Sequence, residues 1–244
     1  MNFTFCHFND YRNLVENYEK NPEIIFQKMG ARNDTILHRA ALKRRVEMID
    51  FLLEHDAPQI PDGNGNFPLH CAALGGDRAI TEKLIKSGGD MEAVNNEMDK
   101  ALHLAASVGN LEVVKALLDA GADLKSRGWL DNSALHCAAE AAEVEVMKEL
   151  VARGIEISLE NSKGEHPLHL AAGTTGKAND IEHMEFLLLN GANLKKSRYI
   201  FYVSHDSLMQ VIILGQMKDA LQPIMPQKVE VSNLFNFFLT QAAQ

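Results

Sequence analysis

The chain has 244 residues, 46% of them hydrophobic, and its 33 acidic against 24 basic side chains leave a net charge of -9. That balance argues against a nucleic-acid backbone as the main partner, since phosphate contacts need surplus Lys and Arg on one face, and it favours a basic protein or peptide. No stretch approaches the ~18 apolar residues of a membrane-spanning helix, and Met1 to Asp10 lacks the basic start and apolar centre of a signal peptide.

Residues 1–29 carry apolar side chains at helical spacing, with Tyr11, Leu14, Val15 and Tyr18 in one stripe and Ile24, Ile25 and Met29 in another. Asn21-Pro22 fits the start of the second helix, and the segment reads as a helical N-terminal cap. Phe3, Phe5 and Phe8 either pack beneath it or bind something. From Gly30 onward the chain alternates short Ala-rich runs with leucine-rich ones. The clearest case is Asp99 to Ser126, DKALHLAASVGNLEVVKALLDAGADLKS. Its first run predicts a short helix stopped by Gly109, and Leu111, Val114, Leu117 and Leu118 predict a second helix stopped by Gly121. So short a pair cannot bury both apolar faces without copies of itself on either side.

The copies are in the sequence. Leu-His recurs at His38, His70, His103, His136 and His169, in steps of 32, 33, 33 and 33 residues. Ala-Ala follows each time, at Ala40-Ala41, Ala72-Ala73, Ala105-Ala106, Ala138-Ala139 and Ala171-Ala172. Over 30–197 this pattern resembles the ankyrin repeat family, whose unit runs near T-P-L-H-x-A-A-x-x-G, an apolar helix, then L-L-x-x-G-A-D. The resemblance implies an all-α solenoid of stacked helix-turn-helix units, linked by projecting hairpin fingers and closed by helical caps.

The repeats depart from that pattern in places. In the first, Ile36 replaces the proline and Arg44 the inner-helix glycine, inside a basic run Lys43-Arg44-Arg45 that reads as a solvated helix end or an acidic-partner contact. The second opens on Asp62 to Asn66, a strong turn, and carries Phe67 where the family favours Thr. Met98 and Lys100 replace Gly and Thr in the third, which predicts an irregular finger there. In the fourth, the register puts Trp129, the only tryptophan, on a finger beside Leu130, either folded back on the next finger or facing a partner. The fifth has four extra residues between its helices, near Thr174 to Asp180. Residues 198–244 read as a degenerate sixth repeat over Asp206 to Met225 and a C-terminal helical cap, whose Leu234, Phe237 and Phe238 seal the stack or dock elsewhere.

Nothing in the sequence asks for a catalytic site, a metal, a cofactor or a small-molecule substrate. The repeated histidines suit structural hydrogen bonds to neighbouring fingers, and His70-Cys71 and His136-Cys137 lie two repeats apart, too far for one zinc ion. Cys6, Cys71 and Cys137, odd in number and without framework spacing, read as free thiols of a reducing compartment, cytosolic or nuclear. Gly63 to Gly65 lacks the rest of a phosphate loop. The family resemblance implies a non-catalytic module that binds a protein partner on its concave face: a scaffold, a regulator, or an effector acting in host cytoplasm, toward which the irregular repeats lean. The other reading is an enzyme whose active part is the C-terminal segment or lies outside this chain. Variable positions on that face are Arg32, Asn64, Asn66, Glu97, Asp99, Trp129, Leu130, Asn132, Lys163 and Glu165 on fingers, with Leu74, Val108, Glu140 and Thr174 on inner helices.

Overall fold

In the computed structural model, residues 11–173 and 182–192 are described. Over them the chain forms helices and turns; the only strand-like pairing among them is an isolated antiparallel bridge, Met29 to Asp34. Helix α1 (Tyr11–Lys20) and a 3-10 turn (Pro22–Phe26) precede five helix pairs. The inner helices are α2 (Ile36–Leu42), α4 (Pro68–Gly75), α6 (Ala101–Ser107), α8 (Ala134–Glu140) and α10 (Pro167–Gly173). Their outer partners are α3 (Val46–Glu54), α5 (Arg78–Lys86), α7 (Leu111–Asp119), α9 (Val144–Ala152) and α11 (Glu182–Leu189). Each inner helix packs on the inner helix of the next repeat, and each outer helix on the next outer one, so two layers run side by side.

The small residues explain the inner layer. All ten alanines of the repeated Ala-Ala pairs are buried, and a methyl-sized side chain lets neighbouring helix backbones approach closely. Between the layers lie Leu37, Leu69, Leu102, Leu135 and Leu168 from inner helices and Ile49, Leu52, Ile80, Leu84, Val114, Leu117, Met147, Leu150 and Leu187 from outer ones, all at 4% exposure or less. These form one continuous cluster from Leu14 of α1 to Leu187 of α11.

At the N-terminal end, α1 closes the stack through its stripe. Leu14 is fully buried, and the Tyr11 and Tyr18 rings meet Phe51 of α3 edge-on at 5.9 and 5.3 Å. Ile24 and Ile25 are buried in the 3-10 turn that follows Asn21.

Glycines end most inner helices, and the next repeat uses the space they leave. At Gly76 φ is +80°, and an added Cβ would lie 2.4 Å from Oδ1 of Asn110. That asparagine clasps the preceding repeat, its Nδ2 donating to the carbonyls of Ala73 (2.6 Å) and Leu74 (3.3 Å). Arg44 and Ala142 stand at equivalent turns without glycine and accept the left-handed conformation, at φ of +57° and +61°. Phe3, Phe5 and Phe8, the inserted segment with Thr174, and the sixth repeat and C-terminal cap lie outside the described residues.

Candidate functional site: fingers and inner helices

Each finger is a tight hairpin closed by its own backbone. The N–H of Asp62, Asn95, Gly128 and Asn161 donates to the carbonyl four residues later, on Asn66, Asp99, Asn132 and Glu165, at 2.8 to 3.0 Å. An Asx turn reinforces three of them: Oδ1 of Asp62, Asn95 and Asn161 each accepts two backbone N–H groups across the tip. The third finger is therefore regular, against the irregularity expected from Met98. That residue adopts φ of +65° where Gly65 and Gly164 have +75°, so the side chain is carried in a glycine conformation, 59% exposed.

The fingers are also tied edge to edge. Backbone N–H groups of Gly63, Asn96 and Ser162 donate to the carbonyls of Arg32, Asn64 and Leu130, at 2.5, 3.0 and 2.8 Å. Side chains add a second tie: Nδ2 of Asn95 donates to Oδ1 of Asn66 (3.0 Å), and Nδ2 of Asn161 to Oδ1 of Asn132 (2.9 Å). In the fourth finger the corresponding residue is Gly128, which has no side chain to donate. There the N–H of Trp129 donates to the Asp99 carboxylate, at 2.9 Å. A Cβ on Gly128 would lie 2.2 Å from that carboxylate oxygen and 3.1 Å from the His103 ring, so the close approach requires glycine. Leu130 and Asp131 then follow in succession at φ of +53° and +61°, a strained arrangement for two non-glycine residues, within a 3-10 turn over Trp129–Asp131.

Four sequence-selected positions are thereby bound into the scaffold. Asn132 is withdrawn from the surface, at 5% exposure, by its tie to Asn161. Asn66, Asp99 and Glu165 are half-buried, and each carries a finger hydrogen bond on its side chain. Arg32, Asn64, Glu97, Trp129 and Lys163 are exposed on fingers, and Leu74, Val108 and Glu140 are exposed at the ends of inner helices; Leu130 is half-buried. Trp129 is 54% exposed, so its ring is not folded away against the neighbouring finger. Leu42, exposed at the end of α2 as Leu74 is at the end of α4, belongs with them although it is not among the positions that the sequence singles out. Its signal was the common place four residues after the repeat histidine.

The repeat histidines hold this side together in one tautomer. Nδ1 of His38, His70, His103, His136 and His169 accepts the N–H of the residue three earlier, at 2.8 to 3.2 Å, which caps the inner helix and leaves the hydrogen on Nε2. Nε2 then donates to the next finger's carbonyl at Asn66 (2.8 Å), Asp99 (3.0 Å) and Glu165 (3.0 Å). His103 is the exception and reaches Ser126 instead, at 3.2 Å, just before the fourth finger. Burial lowers the pKa of His38, His70, His103 and His169 below the ordinary imidazole value and takes His136 down to about 4. The thiols of Cys71 and Cys137 are pushed up to about 12 by burial, so neither supplies a thiolate at neutral pH. Among the described residues no three His, Cys, Asp or Glu side chains converge on a common point, and no helix is long and apolar enough to cross a membrane.

Charge is distributed unevenly between the two sides. On the outer helices, Arg78 meets Glu82, Glu112 and Asp119, and Arg153 meets Asp119 and Glu149, all within 3.5 Å. Lys115 foremost, with Arg78, holds the Glu112 carboxyl below its usual range, and Arg153 with Arg78 does the same for Asp119. Glu97, Asp131 and Glu140, by contrast, take no part in the ion pairs among the described residues.

No curated protein matches the chain. A family model for ankyrin repeats matches it in three overlapping copies, over residues 6–95, 37–128 and 102–198. With the two helical layers, the finger hairpins and the capping histidines, that match over most of the sequence places the chain in the ankyrin repeat family.

Proposed function

We propose that this chain, as ankyrin repeats generally are, is a protein-interaction module, non-catalytic and holding a protein partner against its fingers and inner helices. The observation that carries the reading is where exposed apolar side chains fall: Leu42, Leu74 and Val108 at the ends of inner helices, Met98 and Trp129 on adjacent fingers. The outer helices α5, α7 and α9 are covered in ion pairs instead, and among the described residues the one large apolar side chain exposed on an outer helix is Leu189, at the end of α11. Free, unreactive thiols at Cys71 and Cys137 support the cytoplasm or nucleus as the working compartment, and host cytoplasm if the chain serves as an effector.

The test is a pull-down from cell lysate with the partner identified by mass spectrometry, followed by calorimetric titration. Trp129→Ala should weaken binding by ~2 kcal/mol or more while helical content is unchanged, and Lys115→Ala on α7 should leave affinity as it was. A partner that binds wild type and Trp129→Ala equally, and loses affinity with Lys115→Ala, would move the site to the outer layer.

A further inference from the structure

Resting on that reading, we infer that the partner presents an arginine beside an apolar side chain to the joint between the third and fourth fingers. Met98 and Trp129 are 59% and 54% exposed, and the N–H of Trp129 donates to the side-chain carboxylate of Asp99, the residue after Met98, so the two exposed side chains stand on directly linked, adjoining fingers. Each has near it in sequence an exposed carboxylate without an ion-pair partner among the described residues, Glu97 next to Met98 and Asp131 two residues from Trp129. Among the described residues the nearby cations form no ion pair with them. Lys100 is engaged by Glu92 at 2.5 Å, and Arg127 points its guanidinium at two backbone carbonyls, of Asp131 and Glu160. Lys163 stands one finger further along.

An exposed indole with exposed carboxylates on its own finger and on the adjoining one matches a planar cation. A guanidinium can lie on the ring face and donate to a carboxylate in the same pose, which a compact ammonium does less well. The thioether of Met98 supplies an adaptable apolar wall for the neighbouring side chain of the partner. Glu140, at the end of α8 in the same repeat, extends the negative field toward the inner helices and favours a partner of opposite sign.

A random linear peptide library displayed on phage and panned against the full chain tests this. Recovered peptides should be enriched in arginine adjacent to an aliphatic or aromatic residue. Their titration should change the fluorescence of Trp129, which reports alone because the chain has one tryptophan. Affinity should fall at least tenfold with Trp129→Ala. It should also fall at least tenfold with Glu97→Gln combined with Asp131→Asn, a pair that removes charge but not shape and puts asparagine, tolerant of positive φ, at Asp131. Peptides that need Leu74 and Val108 but are acidic or uncharged, or that bind the Glu97→Gln/Asp131→Asn variant undiminished, would overturn the arginine and leave the binding face standing. Peptides unaffected by Trp129, Leu74 and Val108 substitutions alike would overturn both, as would failure to recover any binder.

Discussion

A repeat histidine has little freedom. His136 caps α8 through Nδ1, which also lies 2.8 Å from the Ser133 hydroxyl, and ties the fifth finger through Nε2, with its ring fully buried. A proton on Nδ1 would face the Ser133 N–H that it now accepts, and burial already disfavours the charge. Its pKa is therefore lower folded than unfolded, so the unfolded chain binds more protons between the two values. Stability is then complete above about pH 6.5 and is lost as pH falls toward about 4. For His136 alone the loss is on the order of 3 kcal/mol, and His38, His70 and His103 act in the same direction. Urea unfolding at about pH 7 and about pH 5 should show a clear drop in midpoint, and replacing His136 by Gln should reduce the difference without abolishing it, since His38, His70 and His103 remain; a midpoint constant over that range would mean that the rings are accessible to protons.

At the scale of a helix, α7 shows what the sequence made readable. Its apolar spacing predicts the element, and the structure buries Leu117 fully while Leu118 stays half-exposed, because at about 100° per residue Leu118 falls beyond the edge of the buried face formed by Val113, Val114, Ala116 and Leu117. Leu117→Ala should cost ~2–5 kcal/mol and Leu118→Ala distinctly less, measured by urea unfolding followed by circular dichroism. Equal costs would mean a rotated helix. The fingers were less legible. Spacing marks their places, but it does not tell a side chain at the surface from one turned to the next finger, so Asn132 looks like a contact residue in the sequence and is a buried tie in the structure. A clue existed in the interval of 29 residues that separates both Asn66 from Asn95 and Asn132 from Asn161. The bond from Trp129 to Asp99 left no such mark, since a backbone N–H belongs to every residue except proline.

Across the whole molecule the fold was legible because one short unit recurs, and each copy repeats the evidence for the others. The proposed binding face rests on exposure and charge, which period alone does not encode. The seam of finger-to-finger bonds also has a mechanical meaning. Joints in a row bend in series, so compliance gathers at the softest. Between the second and third fingers, and between the fourth and fifth, peptide groups bond peptide groups directly. Between the third and fourth the link runs through the Asp99 carboxylate, which swings on two rotatable bonds. Elastic bending should concentrate there, with the repeats before and after it moving as two stiff arms. The Trp129 amide should then exchange with deuterium faster than those of Asn96 and Ser162; the jaw formed by these arms would open and close around Trp129 itself.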